Sequence, residues 1–238
     1  MPFISNFVID FNNPIIFSSS TDSADLAILT TALDSMSFSY ELQSPFPNSL
    51  DFSSLDNMLA GRDVIIVGGP LTNAVAAGFQ NNLQSTLSGI GVTNLSFSLG
   101  SLDGTQVATN APTLSVTNGI GTFVLSRDRN DVNGTISDWA FIVRVDGTTN
   151  SLLYIAGIRD QGTAAALFVL DWATKLNAES IWPYSDASQL TRWKSSLSTG
   201  NSFLIQFKTP SSEALDLNNS VLDDFIGSLN ENSLDDSN

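Results

Sequence analysis

RDVIIVGGPLTN (residues 62–73) and LLYIAGIRDQGT (residues 152–163) are the two stretches that decide the fold. Each contains a continuous apolar run, at Val64–Val67 and at Leu152–Ala156, as expected of a strand that is covered on both faces. Each run ends at glycine and is followed by an apolar pattern of helical period. A buried strand that leads through a glycine turn into a helix is typical of a parallel α/β sheet.

The same alternation of strand and helix continues on both sides of these stretches. Pro14–Ser20 predicts a buried strand, and Asp22–Met36 predicts a helix with an apolar face. We predict further strands at 37–42, 121–126, 139–145 and 202–208, and further helices at 50–59, 71–87, 163–176 and 185–197. The predicted fold is therefore α/β, with a three-layer Rossmann-like sheet that is mostly parallel.

Two regions depart from this pattern. Gly89–Asn118 is rich in Gly, Ser, Thr and Asn, and we predict a β-rich insertion over about 89–138. Beyond Pro210 the chain is acidic, and apolar residues within 221–229 fall on one face of a helix. We predict a single α/β domain over 1–209 and an acidic tail over 210–238 with an amphipathic helix. Packing of this helix on the domain, capture of a partner and disorder remain open alternatives.

The composition excludes several classes of function. The chain has 24 acidic and 9 basic residues, so a net charge of −15 repels nucleic-acid phosphates and anionic lipid head groups. It has no cysteine and no histidine, which excludes a Ser-His-Asp triad, a Cys-His pair, a thiolate zinc site and any disulfide. We predict no catalytic residue set, no metal site, no cofactor, and neither nucleic acid nor membrane as a partner.

Two carboxylate-based alternatives remain to be weighed. Arg127–Asp138 resembles a calcium loop in composition, but its spacing places Val132 and Asn133 where an oxygen ligand and a glycine belong, which favours a hairpin connection. A carboxylate-dependent hydrolase is conceivable if Asp10, Asp22 and Asp63 meet in space, although sequence spacing does not pair them.

The N-terminal stretch has no lysine or arginine ahead of its apolar residues, as a secretory signal would have. No segment approaches the roughly 18 continuous apolar residues of a membrane span. From these two observations, the chain is predicted to be cytoplasmic.

The two glycine loops form the candidate binding site. Both are expected at the carboxyl ends of parallel strands, where ligands bind in open α/β sheets. Glycines let backbone amides approach an anion, the start of a helix favours negative charge, and Arg159 adds a cation. The candidate residues for a nucleotide or another small anion are Gly68, Gly69, Asn73, Gly157, Arg159, Gly162 and Thr163.

A structural interpretation of the same loops stands beside the ligand hypothesis. Tight strand-to-helix turns need glycine whatever the function, and neither loop matches the dinucleotide-binding or P-loop pattern. Asn73 and Thr163 are also suited to cap helices or to join the two loops. Open loops with free amides would favour ligand binding, whereas loops filled by Asn73 or Thr163 would favour a scaffold.

The two segments together resemble a known protein unit. DVIIVGGPLTNAVAAGF (63–79) and LLYIAGIRDQGTAAALFVL (152–170) are similar to segments of the α/β unit in S-layer proteins of methanogenic archaea and in related uncharacterised bacterial domains. The shared pattern is GGPxxN followed by AGxxxxxT, and the matching residues are Gly68, Gly69, Pro70, Asn73, Ala156, Gly157 and Thr163. The resemblance implies a Rossmann-like three-layer fold and a structural role at the cell surface without catalysis.

Three functions follow as hypotheses. The first is a structural, self-associating module of S-layer-like type. The second is an intracellular sensing module that binds a nucleotide or another anion at the two loops. The third is the carboxylate-dependent hydrolase. The predicted partners are accordingly a second copy of the chain or a small anionic ligand.

Overall fold

The structure of the chain is a computed structural model, and it describes residues 1–18, 23–43, 57, 59, 61–70, 72–82, 92–98, 113–118, 121–126, 128–130, 135–171, 197, 202–210 and 221–228. Its helices are α1 (Ile4–Phe7), α2 (Ser23–Ser35), α3 (Ala74–Asn82) and α4 (Asp160–Asp171). Its strands are β1 (Ile15–Ser18), β2 (Glu41–Gln43), β3 (Val64–Val67), β4 (Val92–Ser98), β5 (Thr113–Asn118), β6 (Thr122–Ser126), β7 (Asp128–Asn130), β8 (Thr135–Asp146), β9 (Ser151–Gly157), β10 (Phe203–Pro210) and β11 (Val221–Ser228).

The main sheet has the strand order β11-β10-β8-β9-β3-β1-β2, and β7 pairs with β8 beside this path. Strands β2, β1, β3 and β9 are parallel to one another, which confirms the predicted α/β fold and its parallel sheet for this half. Strands β8, β10 and β11 continue the sheet in antiparallel pairs. The change of direction follows from the short connection at 147–150, because so short a turn joins only antiparallel strands.

Residues 62–73 and 152–163 contribute neighbouring strands to this sheet. β3 pairs with β9 in parallel, with Val64 opposite Leu152 and Val67 opposite Ile155. The prediction that the two apolar runs are adjacent parallel strands is therefore confirmed. Both strands are buried along their apolar length, as continuous apolar runs indicate.

Elements cover both faces of the main sheet. Alternate residues of a strand point to opposite faces, so Ile65 and Val67 join one core while Val64 and Ile66 join the other. Helices α1, α2 and α4 contribute to the first core. Helix α3 and a second sheet contribute to the other.

The second sheet lies within the predicted β-rich insertion. It has the order β4-β5-β6 and is antiparallel throughout. Leu95, Leu114 and Val116 are buried against the second core of the main sheet. Downstream, β7 and β8 form an antiparallel pair around residues 131–134, which confirms the hairpin interpretation of Arg127–Asp138.

The helix predicted in the acidic tail is wrong, because Val221–Ser228 form strand β11, antiparallel to β10. This pairing contains two register shifts, between Phe203 and Leu204 and between Gln206 and Phe207 of β10. A β-bulge interrupts the two-residue period of a strand. Apolar residues in a bulged strand can therefore be spaced three or four apart, as they are in a helix.

Other predictions fall outside the described residues. The predicted helices at 50–59 and 185–197 are described only at Asn57, Leu59 and Leu197, each of which is helical. Residues 83–87 and 172–176, at the ends of two further predicted helices, are not described. Among the described residues, no helix is both long and apolar enough to cross a bilayer.

Arg144 of β8 fastens the N-terminal segment to the sheet. Its Nη2 donates to both carboxylate oxygens of Asp10 at 2.8 and 2.9 Å, and its Nε donates to Asp146 at 3.0 Å. Its Nη1 donates to the carbonyl of Phe7 at 3.0 Å, and the guanidinium lies 5.5 Å from the ring centre of Phe11. The hydrogen bond from Arg144 lowers the pKa of the Asp10 carboxyl.

This lowered pKa makes part of the stability depend on pH. A carboxyl whose pKa is lower in the folded state stabilises the fold above its unfolded pKa, and this contribution is lost as the pH falls through the folded value. We expect Asp10→Asn to melt at a slightly lower temperature than the wild type at neutral pH. The gap should close in melting curves recorded well below the ordinary pKa of 3.8. A gap that stays constant over this range would contradict the assignment.

Tyr154 carries a buried hydroxyl that has no hydrogen-bond partner among the described residues. Its ring meets those of Phe79 and Phe141 edge-on, at centroid distances of 5.6 and 4.9 Å. Burial raises the pKa of this phenol. The aromatic contacts stabilise the ring, whereas no described residue compensates for the desolvation of the hydroxyl.

Tyr154→Phe is therefore expected to leave the free energy of unfolding unchanged or to raise it by up to about 1 kcal/mol, because it removes only the uncompensated hydroxyl. Urea unfolding of the two proteins measures the difference. A loss of more than about 1 kcal/mol would show that the hydroxyl has a partner.

Candidate functional site

The candidate site is formed by the loops that follow β3 and β9. Because these strands are parallel neighbours, both loops lie at the same edge of the sheet. The helix after β3, α3, packs on one face, and the helix after β9, α4, packs on the other. In open parallel sheets this divergence of helices is where a ligand crevice forms.

The loop after β3 turns sharply at Gly68. Its φ of +95° lies in the left-handed region, where glycine carries no steric penalty. Its amide donates to the carbonyl of Ile155 in the neighbouring strand at 2.9 Å. The Gly69 carbonyl then accepts the amides of Thr72 at 3.3 Å and of Asn73 at 3.0 Å. These bonds close the turn and fix the start of α3.

Asn73 fills the inner side of this loop. It is 0 % exposed, and its Oδ1 accepts the amides of Val75 at 3.0 Å and of Ala76 at 3.1 Å. Its Nδ2 donates to the carbonyls of Phe17 at 3.1 Å and of Val67 at 2.8 Å. One side chain thus caps α3 and joins the ends of two parallel strands. Since the cap is Asn73, α3 begins at Ala74, and the predicted start at position 71 is wrong.

Thr163 fills the loop after β9 in a similar way. It is 2 % exposed, and its Oγ1 accepts the amide of Gly157 at 2.9 Å. The same hydroxyl lies 3.4 Å from the carbonyl of Arg159, to which it donates. Thr163 therefore lies within the first turn of the helix, and its hydroxyl bonds to the backbone of two earlier residues, Gly157 and Arg159. The prediction that Thr163 caps the start of this helix is wrong, because α4 begins at Asp160 and Thr163 lies within its first turn.

Asp138 is the site residue that sequence reasoning missed. Its Oδ2 accepts the amides of Arg159 at 3.1 Å and of Gly162 at 3.0 Å, and its Oδ1 accepts the amide of Trp139 at 2.8 Å. The carboxylate is 2 % exposed and lies at the start of α4, where a helix favours negative charge.

Strand register brings Asp138 to this position. Ala140 pairs with Gly157 in the antiparallel ladder of β8 and β9, so Asp138 lies two residues beyond the last described pair. The backbone contact continues past it, where the amide of Ile158 donates to the carbonyl of Trp139 at 2.9 Å. In the sequence, the only signal is an aspartate directly before a long apolar strand.

The glycines allow the backbone to approach itself closely. A Cβ added to Gly157 would lie 2.4 Å from the backbone nitrogen of Thr163 and 2.5 Å from the backbone of Gly162. A Cβ on Gly162 would lie 2.8 Å from Oδ2 of Asp138. A Cβ on Gly69 would lie 3.6 Å from the carbonyl oxygen of Gly157, so the two loops are within contact distance.

Arg159 is the remaining predicted site residue. Its backbone amide is bound by Asp138, and its side chain is half-buried. Its Nε is buried without a hydrogen-bond partner among the described residues. The structure thus brings all seven predicted residues into two adjoining loops. Internal oxygen acceptors take the amides of Gly157, Arg159 and Gly162, as well as those of Val75 and Ala76.

The aspartates named for a hydrolase have separate partners. Asp10 pairs with Arg144, whereas Asp63 accepts the amides of Asn12 at 2.6 Å and of Ser151 at 2.7 Å. Asp22 lies outside the described residues. Within the described part of the chain, no three acidic side chains are placed to hold a metal ion.

Asp138→Asn tests the role of the buried carboxylate. The three bonds that the structure describes for this side chain come from backbone N–H groups, so an amide in its place must direct its own N–H₂ against at least one of these donors. We expect the free energy of unfolding to fall by about 2 kcal/mol in urea. Asp34→Asn, on the exposed face of α2, is the control and should change stability by less than about 0.5 kcal/mol. Equal stability of both variants would contradict the buried-cap role.

Comparisons of the chain with models of protein families, with curated proteins and with solved structures find no match. The resemblance to S-layer proteins therefore depends on the two loop motifs alone.

Proposed function

We propose that the chain is a non-catalytic structural module that self-associates, of the S-layer-like type that its loop motifs resemble. One observation carries the proposal: the loops that would bind a ligand are closed by the chain's own Asn73, Thr163 and Asp138. An anion site at a helix start needs free backbone amides, and Asp138 already provides the negative charge there.

The architecture is compatible with this proposal. Adjacent parallel strands lead into helices on opposite faces of the sheet, as in the Rossmann-like three-layer unit that the resemblance implies. Asn73 links two of these strands to α3, and Asp138 links β8 to α4. Such joints make the strand ends rigid, which suits a protein that bears load or builds an array.

Self-association is tested by measuring molar mass against concentration. Light scattering and sedimentation of the full chain, with and without calcium, should show mass that rises with concentration. Electron microscopy of the concentrated sample then shows whether the assemblies are regular. A protein that stays monomeric at the highest accessible concentration, under both conditions, would refute the proposal.

Anion sensing is the second candidate, and Arg159 is the observation that favours it. Its Nε is buried without a described partner beside the two loops, so an anion would find a cation there. A thermal-shift series with nucleotides and inorganic phosphate tests this candidate. Stabilisation that disappears in Arg159→Ala would establish it, and the absence of any shift would favour the structural module.

A further inference from the structure

Strand β6 is the outer strand of the small sheet, on the side away from β4. Its sequence is TFVLS, and it pairs with β5 along its whole length, from Thr117 opposite Thr122 to Thr113 opposite Ser126. Among the described residues, none pairs with its other edge. Val124, the middle residue of β6, is 61 % exposed.

The outer strands of the main sheet carry protection that β6 lacks. Strand β2 is three residues long and contains Glu41, which pairs with Arg62 at 2.8 Å. Strand β11 contains Asp223 and Asp224, and its pairing has two register shifts. Short length, charge and bulges are the devices by which edge strands avoid pairing with other chains. β6 has no charge, no proline and no register shift.

The opposite edge of the small sheet is also irregular. Strand β4 has a register shift between Val92 and Asn94, whereas the ladder of β6 is regular. A bulge twists an edge away from straight pairing. Strand β7, which pairs only with β8, is three residues long and contains Asp128 and Arg129. Among the described outer strands of the two sheets, β6 is therefore the one with an unprotected edge.

The distribution of charge favours a second copy of the chain as the partner at this edge. A net charge of −15 makes two copies repel one another over most of their surface. None of the residues of β4, β5 and β6 is charged, so two copies that meet at this sheet avoid juxtaposing like charges at the contact. An edge strand also complements itself, because two identical strands can pair in antiparallel about a twofold axis.

We infer that β6 pairs with β6 of a second copy and joins the two small sheets into one continuous sheet. Antiparallel pairing centred on the strand places Val124 opposite its counterpart and Thr122 opposite Ser126. The exposed valines then form an apolar cross-strand pair, and the unpaired backbone groups of both edges bond to one another. This inference rests on the proposed function, since it names the surface through which the module self-associates.

A lysine substitution in β6 tests whether this strand pairs with its counterpart in a second copy. In Val124→Lys, two positive charges meet at the centre of the paired strands, and self-association should weaken at least tenfold in sedimentation equilibrium. Leu42→Lys is the matched control, because Leu42 is an apolar residue 51 % exposed on the edge strand of the other sheet. Circular dichroism and melting temperature report whether each variant is folded.

The results separate the two proposals. If the wild type associates and folded Val124→Lys associates equally well, the β6 inference is overturned and the proposed function stands. If the wild type remains monomeric, both are overturned. If Leu42→Lys weakens association as much as Val124→Lys, the effect comes from charge in general and the β6 inference is again overturned.

Cysteine crosslinking covers the case in which Val124→Lys does not fold. The chain has no cysteine, so Val124→Cys introduces a single thiol. Opposite Cβ atoms in an antiparallel pair are within disulfide reach. Mild oxidation should convert Val124→Cys to a covalent dimer much faster than Leu42→Cys. Equal rates for the two variants would overturn the inference.

Discussion

Gly157→Ala is expected to lower the free energy of unfolding by at least about 3 kcal/mol, or to prevent folding altogether. The added Cβ would lie 2.4 Å from the nitrogen of Thr163 and 2.5 Å from two backbone atoms of Gly162. These neighbours are backbone atoms, so no side-chain rotation relieves the overlap. The loop must move as a unit, and this movement breaks the bond from the Gly157 amide to Thr163 and those from Arg159 and Gly162 to Asp138.

Gly69→Ala is the matched control for this prediction. Gly69 lies in the facing loop, where an added Cβ would be 3.6 Å from the carbonyl oxygen of Gly157, an ordinary contact. Its φ is not positive, so alanine fits the backbone there. We expect a change within about 1 kcal/mol. Urea unfolding followed by circular dichroism measures both variants, and a similar loss in both would refute the close-approach argument.

The sequence predicted β3, β9 and their neighbourhood because the physical signal is local. Continuous apolar runs followed by glycine indicate buried strands that lead into helices, and the structure pairs them in parallel. The antiparallel half of the sheet was less accessible. Its direction depends on the short connection at 147–150, which makes β8 antiparallel to β9.

The helix starts were harder to predict because distant partners determine them. Asn73 becomes the cap of α3 while its other atoms bond to Phe17 and Val67, and Phe17 is far away in the chain. Asp138 reaches the start of α4 only through the register of β8 on β9. Neither relation is visible in a local pattern. The sequence thus predicts that the seven candidate residues lie together, but it does not predict that the carboxylate of Asp138 lies beside them.

In β11 the local pattern is clear, but it predicts the wrong secondary structure. Its apolar spacing fits a helix, but two register shifts let the same spacing form a strand on β10. As a strand, this segment makes its backbone hydrogen bonds to β10 and so joins the main sheet. As an isolated helix, it would make them only within itself. Here tertiary pairing overrides the preference of the isolated segment.

Asn73→Asp is expected to separate the two functions of this side chain. An aspartate in the same position can still accept the amides of Val75 and Ala76, so the cap on α3 is retained. Its second oxygen, however, would face the carbonyls of Phe17 and Val67, to which Asn73 donates at 3.1 and 2.8 Å. Two donated bonds become two repulsions between oxygen atoms in a fully buried position. We expect the variant to lose about 3 kcal/mol at neutral pH.

The pH dependence of the loss identifies its cause. Repulsion from the carbonyls raises the pKa of the new carboxyl in the folded state above its unfolded value of about 3.9. Between these two values the folded state binds more protons, so stability falls as the pH rises through this window. Relative to the wild type, Asn73→Asp should therefore recover stability on acidification, because the protonated acid can donate to one carbonyl.

Asn73→Ala provides the comparison, since it removes all four hydrogen bonds and introduces no titratable group. Its deficit should be about 3 to 5 kcal/mol and should not vary with pH. Urea unfolding at several pH values gives the difference of each variant from the wild type. If the losses of unfolding free energy in the two variants depend on pH in the same way, the contacts between Asn73 and the strand carbonyls do not join β1 and β3. If only the aspartate variant recovers in acid, these contacts hold the parallel strands together at the edge where a ligand crevice would otherwise open.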